Sequence, residues 1–150
     1  MLLDRLKKYE IILASASPRR KQLLEEMGVN FKLVSKSVEE VFPEKLQPVK
    51  VAEYLSRIKA DAFDIRELKK NTLIITADTI VTINREILGK PVDKDQAIEI
   101  LQKLSGKTHQ VITAVTLKCI DKQHTFSVST SVTFSTLKKS EINYYIDTYL

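Results

Sequence analysis

Short apolar, β-rich runs separated by amphipathic helical stretches predict a domain of the α/β class, and three features carry that expectation. An apolar run at 11–14 passes through two serines and a proline into a helix. A second apolar run ends on an acid, Asp78, continues extended and turns at Asn84-Arg85-Glu86. Two long strands then face each other around Asp121-Lys122.

The elements follow in order. The opening Met1-Leu2-Leu3-Asp4-Arg5-Leu6-Lys7-Lys8 is too short and too charged for a signal peptide and reads as structure or a lead-in. The strand at 11–14 gives way at Ser17, a good N-cap, to a helix with Pro18 at its first position, a stripe of Leu23, Leu24 and Met27, and Gly28 as its stop. A strand at 31–34 and a polar stretch through Glu39-Glu40 to Gln47 precede a long helix from Pro48. In that helix Val51, Leu55, Ile58 and Ala62 form the apolar stripe, and Ala52, Lys59 and Phe63 run beside it, so Lys59 sits at the edge of the buried face. Residues 72–77 read as a strand that Asp78 leaves, and 79–83 as an extended continuation into a hairpin. A helix at 94–104 is capped by Asp93 and stopped by Gly106. The strands at 108–120 and 123–136 follow, the second with Phe126, Val128, Thr130, Val132 and Phe134 on one side and hydroxyls on the other. Ser140 reads as the N-cap of a last helix over 141–148.

Composition narrows the function classes. With 150 residues, 43% hydrophobic content and no long apolar run, the expectation is one soluble globular domain, cytoplasmic and without a membrane segment. The single Cys119 excludes an internal disulfide and a cysteine-rich zinc site, and its strand-like setting suits a buried thiol. A net charge of +5 and a pI near 9.2 fit a protein that handles phosphates. That charge fits free nucleotides or nucleic acid alike; Lys69-Lys70 and Lys138-Lys139 are isolated pairs without interleaved aromatics, which weighs a little against nucleic acid and suits ordinary solvating lysines.

Candidate chemistry gathers at two places. Arg19, Arg20 and Lys21 stand in the first turn of a helix, where the dipole and unpaired N–H groups favour an anion, so Ser15, Ser17 and the arginines read as a phosphate cradle. A capped surface helix with solvated cations fits the local pattern equally. Asp78, at the end of an apolar run, must be paired, protonated or metal-bound; Thr79 offers a hydroxyl and Lys90, across the hairpin, a cation. A structural ion pair or a capping carboxylate fits it as well. Lys59 suits a snorkelling lysine, and Glu39-Glu40 suit ordinary loop charges as readily as hard-metal ligands. His109 and His124 have no metal-ligand spacing, and Ser105-Gly106-Lys107-Thr108 lacks the glycine spacing and preceding strand of a phosphate loop.

Four blocks taken together resemble the Maf family of nucleoside triphosphate pyrophosphatases: Leu13-Ala14-Ser15-Ala16-Ser17-Pro18-Arg19-Arg20, Ala77-Asp78-Thr79-Ile80-Val81, Leu88-Gly89-Lys90-Pro91 and Leu104-Ser105-Gly106-Lys107-Thr108-His109. Their order and spacing match from about residue 10 to the end. The resemblance implies an α/β fold with an elongated, bent mixed sheet flanked by helices, two lobes with a central cleft, related to the inosine triphosphate pyrophosphatases. It further implies hydrolysis of a nucleoside triphosphate to the monophosphate and pyrophosphate, with a divalent metal cation, Mg²⁺ or Mn²⁺. The Ala-Asp-Thr-Ile form is similar to the branch acting on dTTP and UTP. Carried over by position, Asp78 is the proton acceptor and, with Glu39, a metal ligand. Ser15, Ser17, Arg19 and Lys90 are the phosphate contacts, Lys59 and Glu39 further cleft positions, and Thr79, with Arg19, a position tied to substrate choice; Arg20 joins the substrate-binding candidates from the cradle.

Members of that family continue past the last helix into a segment with an Ala-Tyr-Gly-Ile-Gln type motif that faces the base, whereas this sequence stops at Tyr149-Leu150. The expectation is a single Maf-like domain over 1–150 that folds, leaves an exposed edge or apolar patch, and turns over poorly. A homodimer stays open. The rival reading is a non-catalytic nucleotide- or nucleic-acid-binding regulator of cell division and septum formation.

Overall fold

The computed structural model describes residues 1–149. Elements run α1 (Leu2–Leu6), β1 (Glu10–Leu13), α2 (Pro18–Glu26), β2 (Lys32–Leu33), α3 (Pro48–Asp61), β3 (Thr72–Ile83), β4 (Glu86–Leu88), α4 (Lys94–Leu104), β5 (Thr108–Lys118), β6 (Gln123–Thr133) and α5 (Lys139–Tyr149), with one 3₁₀ turn at Ile65–Glu67. The hydrogen-bonded strand order is β2-β1-β3-β5-β6, with β4 on β3. The sheet is mixed, as the family resemblance implies. β1 runs parallel to both β2 and β3, with Ile12 opposite Ile74, whereas β4 folds back antiparallel with Val81 opposite Leu88. No described helix is long and apolar enough to cross a membrane.

The chain forms two compact units. The first comprises Met1–Asp78 with Thr113–Ser127, the second Thr79–Ile112 with the residues from Val128 on. In the first, Ile11 and Leu13 of β1, Ile74 of β3, Ala114 of β5 and Val51, Ala52, Leu55 and Ala60 of α3 are buried. α3 forms because Pro48 presets its first turn and its apolar positions recur at helical spacing. In the second, Ala97, Ile142 and Ile146 form a small core between α4 and α5, joined by Ile98, Leu101 and Leu137.

Local signals held where a single residue governs the geometry. Ser17 caps α2 by accepting from the Arg20 amide, and Asp93 caps α4 by accepting from Gln96. Asn84 and Arg85 both adopt positive φ, 49° and 68°, the two-residue turn whose twist suits a hairpin. Gly106 follows α4 at φ 66°, and a side chain there would stand 3.1 Å from Thr136 Oγ1.

Other expectations needed correction. The stripe on α2 is not a buried face: Leu23 and Met27 are exposed, because only Leu24 of the three turns inward. β2 spans two exposed residues instead of four, since it pairs with β1 only at Lys32 and Leu33. Asp78 does not leave the strand, because β3 carries its hydrogen bonding on to Ile83. The last helix begins at Lys139, and Glu141 accepts from the Lys138 amide at 2.7 Å, so Ser140 lies inside the helix and does not cap it. Phe126 and Val128 of β6 are exposed, while the hydroxyls of Thr125 and Ser127 bond Thr116 and Glu53 in the first unit. The pattern was alternating, but the polar side faces the helix, where hydrogen bonding outweighs the exposure of two apolar residues.

Candidate active site

β1 ends at Leu13, and the next turn is built by hydroxyls. Ser15 Oγ accepts from the Ser17 amide at 3.2 Å, and Ser17 Oγ accepts from the Arg20 amide at 3.4 Å. Serines do this readily because their side chains compete with the backbone for its own N–H groups. The guanidinium of Arg20 then folds back, donating to Ser15 Oγ at 3.2 Å and to the carbonyl of Ala77 at 2.8 Å. Arg20 thereby ties the strand-to-helix turn to the residue before Asp78. Burial pulls its guanidinium below the ordinary arginine range, opposed by the negative charges of Asp78 and Glu40.

Asp78 is 7% exposed and in phase along β3 with Ile74 and Thr76, both 0% exposed, which places it on the face that α3 covers. Thr76 donates to the carbonyl of Ser56 at 2.8 Å, and Ser56 Oγ lies 2.9 Å from Thr116 Oγ1, so this part of α3 is held by hydroxyls rather than by apolar contact alone. One turn further, Lys59 reaches Asp78 Oδ1 at 2.6 Å and Glu40 Oε1 at 2.8 Å. Its side chain is 19% exposed, so the ammonium is held between two carboxylates and does not snorkel to water.

Within the first unit the structure therefore unites Ser15, Ser17, Arg20, Lys59 and Asp78, and adds Glu40. Glu39, the acid singled out from the sequence, is exposed beside it. The cation bonded to Asp78 is Lys59; Lys90 belongs to the second unit, exposed at the rim of a 150 Å³ hollow with Gln96 and Lys103. Thr79, exposed on β3, opens the second unit, and Arg19 is exposed on α2. The sequence offered Glu39 and Glu40 as one pair, because an irregular loop has no period that tells which of two adjacent acids meets Lys59. Lys118, buried at the end of β5, was passed over, although it continues the buried phase of Ala114 and Thr116.

The cluster's two cations and two carboxylates are balanced, so it has room for a polyanion only together with further positive charge. Among the described residues no three His, Cys, Asp or Glu side chains form a ready cage for a metal. Asp78 and Glu40 fit the lighter mode of Mg²⁺ binding, in which one or two carboxylates act together with substrate phosphates. Cys119 is half-buried and burial pushes its thiol up, which suits packing and not nucleophilic attack.

A family model described as Maf-like protein matches residues 10–150. The chain belongs to the Maf family. A dTTP/UTP pyrophosphatase of Flavobacterium psychrophilum is 43% identical over 149 residues, covering 99% of this chain and 76% of the relative. One of Phocaeicola vulgatus, with the same name, is 45% identical over 149 residues, covering 99% and 77%. Among solved structures, the Ham1 protein of Staphylococcus aureus aligns with a TM-score of 0.59 at 17% identity, over 81% of this chain and 70% of that one. A HAM1 protein from Coxiella burnetii aligns at 0.53 and 15%, over 82% and 71%. These two show that the α/β fold of this Maf chain is shared with Ham1 proteins.

Proposed function

We propose that this Maf chain hydrolyses nucleoside triphosphates, dTTP and UTP, to the monophosphate and pyrophosphate, with Asp78 as proton acceptor. The observation that carries the reading is Asp78 itself, 7% exposed, bonded to Lys59 and one residue from the carbonyl that Arg20 holds. The dTTP/UTP pyrophosphatases to which the chain is similar support the substrate class.

The residues divide the work by chemistry. The hydroxyls of Ser15 and Ser17 at the start of α2 offer donors to phosphate oxygens, and the helix dipole favours their charge. Arg19, exposed at that helix start, is the free arm for the triphosphate, while Arg20 sets the turn. Thr79, next to Asp78 along β3, and Lys90 are the hydroxyl and the cation that the family motifs assign to substrate binding. Lys59 orients the Asp78 carboxylate, which takes the proton of the attacking water. A divalent cation, Mg²⁺ or Mn²⁺, would be held by Asp78 with the acidic pair Glu39-Glu40 and would supply charge neutralisation to the triphosphate. The chain's cations do the same for the departing pyrophosphate.

The test is pyrophosphate release from a nucleotide panel with Mg²⁺ or Mn²⁺. Turnover of dTTP and UTP above ATP and 7-methyl-GTP, abolished by chelation, is the expected result. Binding of nucleotides without release under any metal would sink the hydrolytic reading and leave a nucleotide-binding protein.

A further inference from the structure

The last turn of α3 is held by a group for which the proposed reaction has no chemical use. Lys118, the final residue of β5, is 8% exposed. Its ammonium donates to the carbonyls of Ala60 at 3.1 Å and Phe63 at 2.8 Å, with Asp61 Oδ1 4.0 Å away. A buried ammonium is costly unless its donors are met, and carbonyls at a helix C-terminus lack intrahelical partners and carry the negative end of the dipole. Lys118 meets the Phe63 carbonyl and adds a second donor to the Ala60 carbonyl, which also accepts from the Phe63 amide at 3.1 Å. Lys36 caps the same end from a more open position, donating to Ala62 O at 3.0 Å with its ammonium 4.7 Å from the Phe63 ring centroid.

Lys59 directly precedes Ala60. Its long side chain must deliver one ammonium to Asp78 at 2.6 Å and Glu40 at 2.8 Å from a turn that, in most helices, frays. Here the turn is tied on both sides. Ser56 is bonded to Thr76 and Thr116 before it, and Ala60 and Phe63 are bonded to Lys118 after it. The two anchoring strands are β3, which carries Asp78, and its neighbour β5.

We propose that Lys118 is a positioning residue for the hydrolytic site: by capping the carbonyls of Ala60 and Phe63 it fixes the turn of α3 that delivers Lys59 to Asp78 and Glu40. The kinetic part of its test rests on the hydrolytic reading above; the geometric part does not.

Lys118→Met keeps the aliphatic stem and removes the donors. In the full chain it is expected to lower kcat for dTTP or UTP about 5–20-fold with KM within about two-fold, the signature of a displaced group and not of lost substrate binding. Lys118→Arg, which keeps charge and donors, is expected to recover at least half of the rate. Lys36→Ala removes a cap from the same helix end and is expected to leave kcat within about two-fold. Independently of turnover, the ¹H–¹⁵N signal of the Lys59 ammonium is expected to be visible in the unaltered chain and in Lys36→Ala, and to broaden in Lys118→Met. A folded Lys118→Met with unchanged kcat overturns the proposal, as does an equal fall in Lys36→Ala. If the unaltered chain releases no pyrophosphate, the hydrolytic reading fails, and an unchanged Lys59 signal in Lys118→Met is then what overturns the positioning role. Should the Met variant not fold, the same measurements on Lys118→Gln decide.

Discussion

Helices α3 and α5 carry similar amphipathic patterns, yet they are secured by different forces. α3 buries Val51, Ala52, Leu55, Ser56 and Ala60, and side-chain hydrogen bonds and ion pairs fix its inner face at Glu53, Ser56 and Lys59. α5 buries only Ile142 and Ile146, leaves Tyr144, Tyr145 and Tyr149 exposed, and flanks a 670 Å³ groove lined also by Leu101, Phe134 and Leu137. Its charged contact, Lys94 with Asp147 at 2.5 Å, lies on the surface. Apolar contact is non-directional and tolerates sliding, whereas hydrogen bonds and ion pairs set a helix's azimuth and depth. The helix that carries Lys59 to Asp78 is the one pinned by directional bonds.

The sharpest way to break this contrast is at Asp78. Asp78→Asn keeps the shape and removes the proposed proton acceptor, so pyrophosphate release is expected to fall by on the order of 10²-fold or more. Because Lys59 retains Glu40 at 2.8 Å, the cation is not stranded, and stability should drop only about 1–2 kcal/mol. A rate within tenfold of the unaltered chain would remove Asp78 from the chemistry. Next in size is the apolar helix: Ile146→Ala is expected to cost about 2–4 kcal/mol in denaturant unfolding, since it empties part of a core with few members. Smaller is Ser56→Ala, about 0.5–1.5 kcal/mol, because Thr116 Oγ1 loses one hydrogen bond and keeps the one to Thr125 at 2.8 Å. If Ser56→Ala costs more than Ile146→Ala, the polar pins carry more of the stability than this comparison assigns them.

Acid exposes the same difference. The carboxyl of Glu53 lies below its ordinary 4.5, lowered chiefly by its hydrogen bond to Lys50, with Ser127 and Arg57 helping against burial. A depressed folded pKa gives stability that is present above the unfolded value and lost as pH falls through the folded one. Unfolding midpoints are therefore expected to drop below about pH 4.5, with a shallower drop in Glu53→Gln. An identical acid profile in the variant would show that Glu53, with Lys50 as its chief partner, contributes nothing to it. Smallest of all, Lys94→Ala should change stability by less than about 0.5 kcal/mol, since both partners of its ion pair are well solvated.

Much of this was readable in advance wherever one residue governs local geometry. Pro18 and Ser17 start α2, Asp93 starts α4, Asn84-Arg85 turn the hairpin, and helical spacing in 48–61 marks α3, because capping and φ preferences act over a few bonds and need no distant partner. Ser15, Ser17 and Arg20 were visible as a strand-to-helix junction for the same reason. What only the tertiary structure decided was which side chains meet. Asp78 could be named as an acid in need of a partner, but the choice of Lys59 depends on α3 lying on one face of β3, and the choice of Glu40 over Glu39 on the path of an irregular loop. The hydroxyl side of β6 faces α3, against the apolar alternation, because Glu53 and Thr116 await it there. Pairings across 19 and 74 positions of sequence are set by packing, and neither the spacing nor the chemistry of the residues between them encodes the meeting.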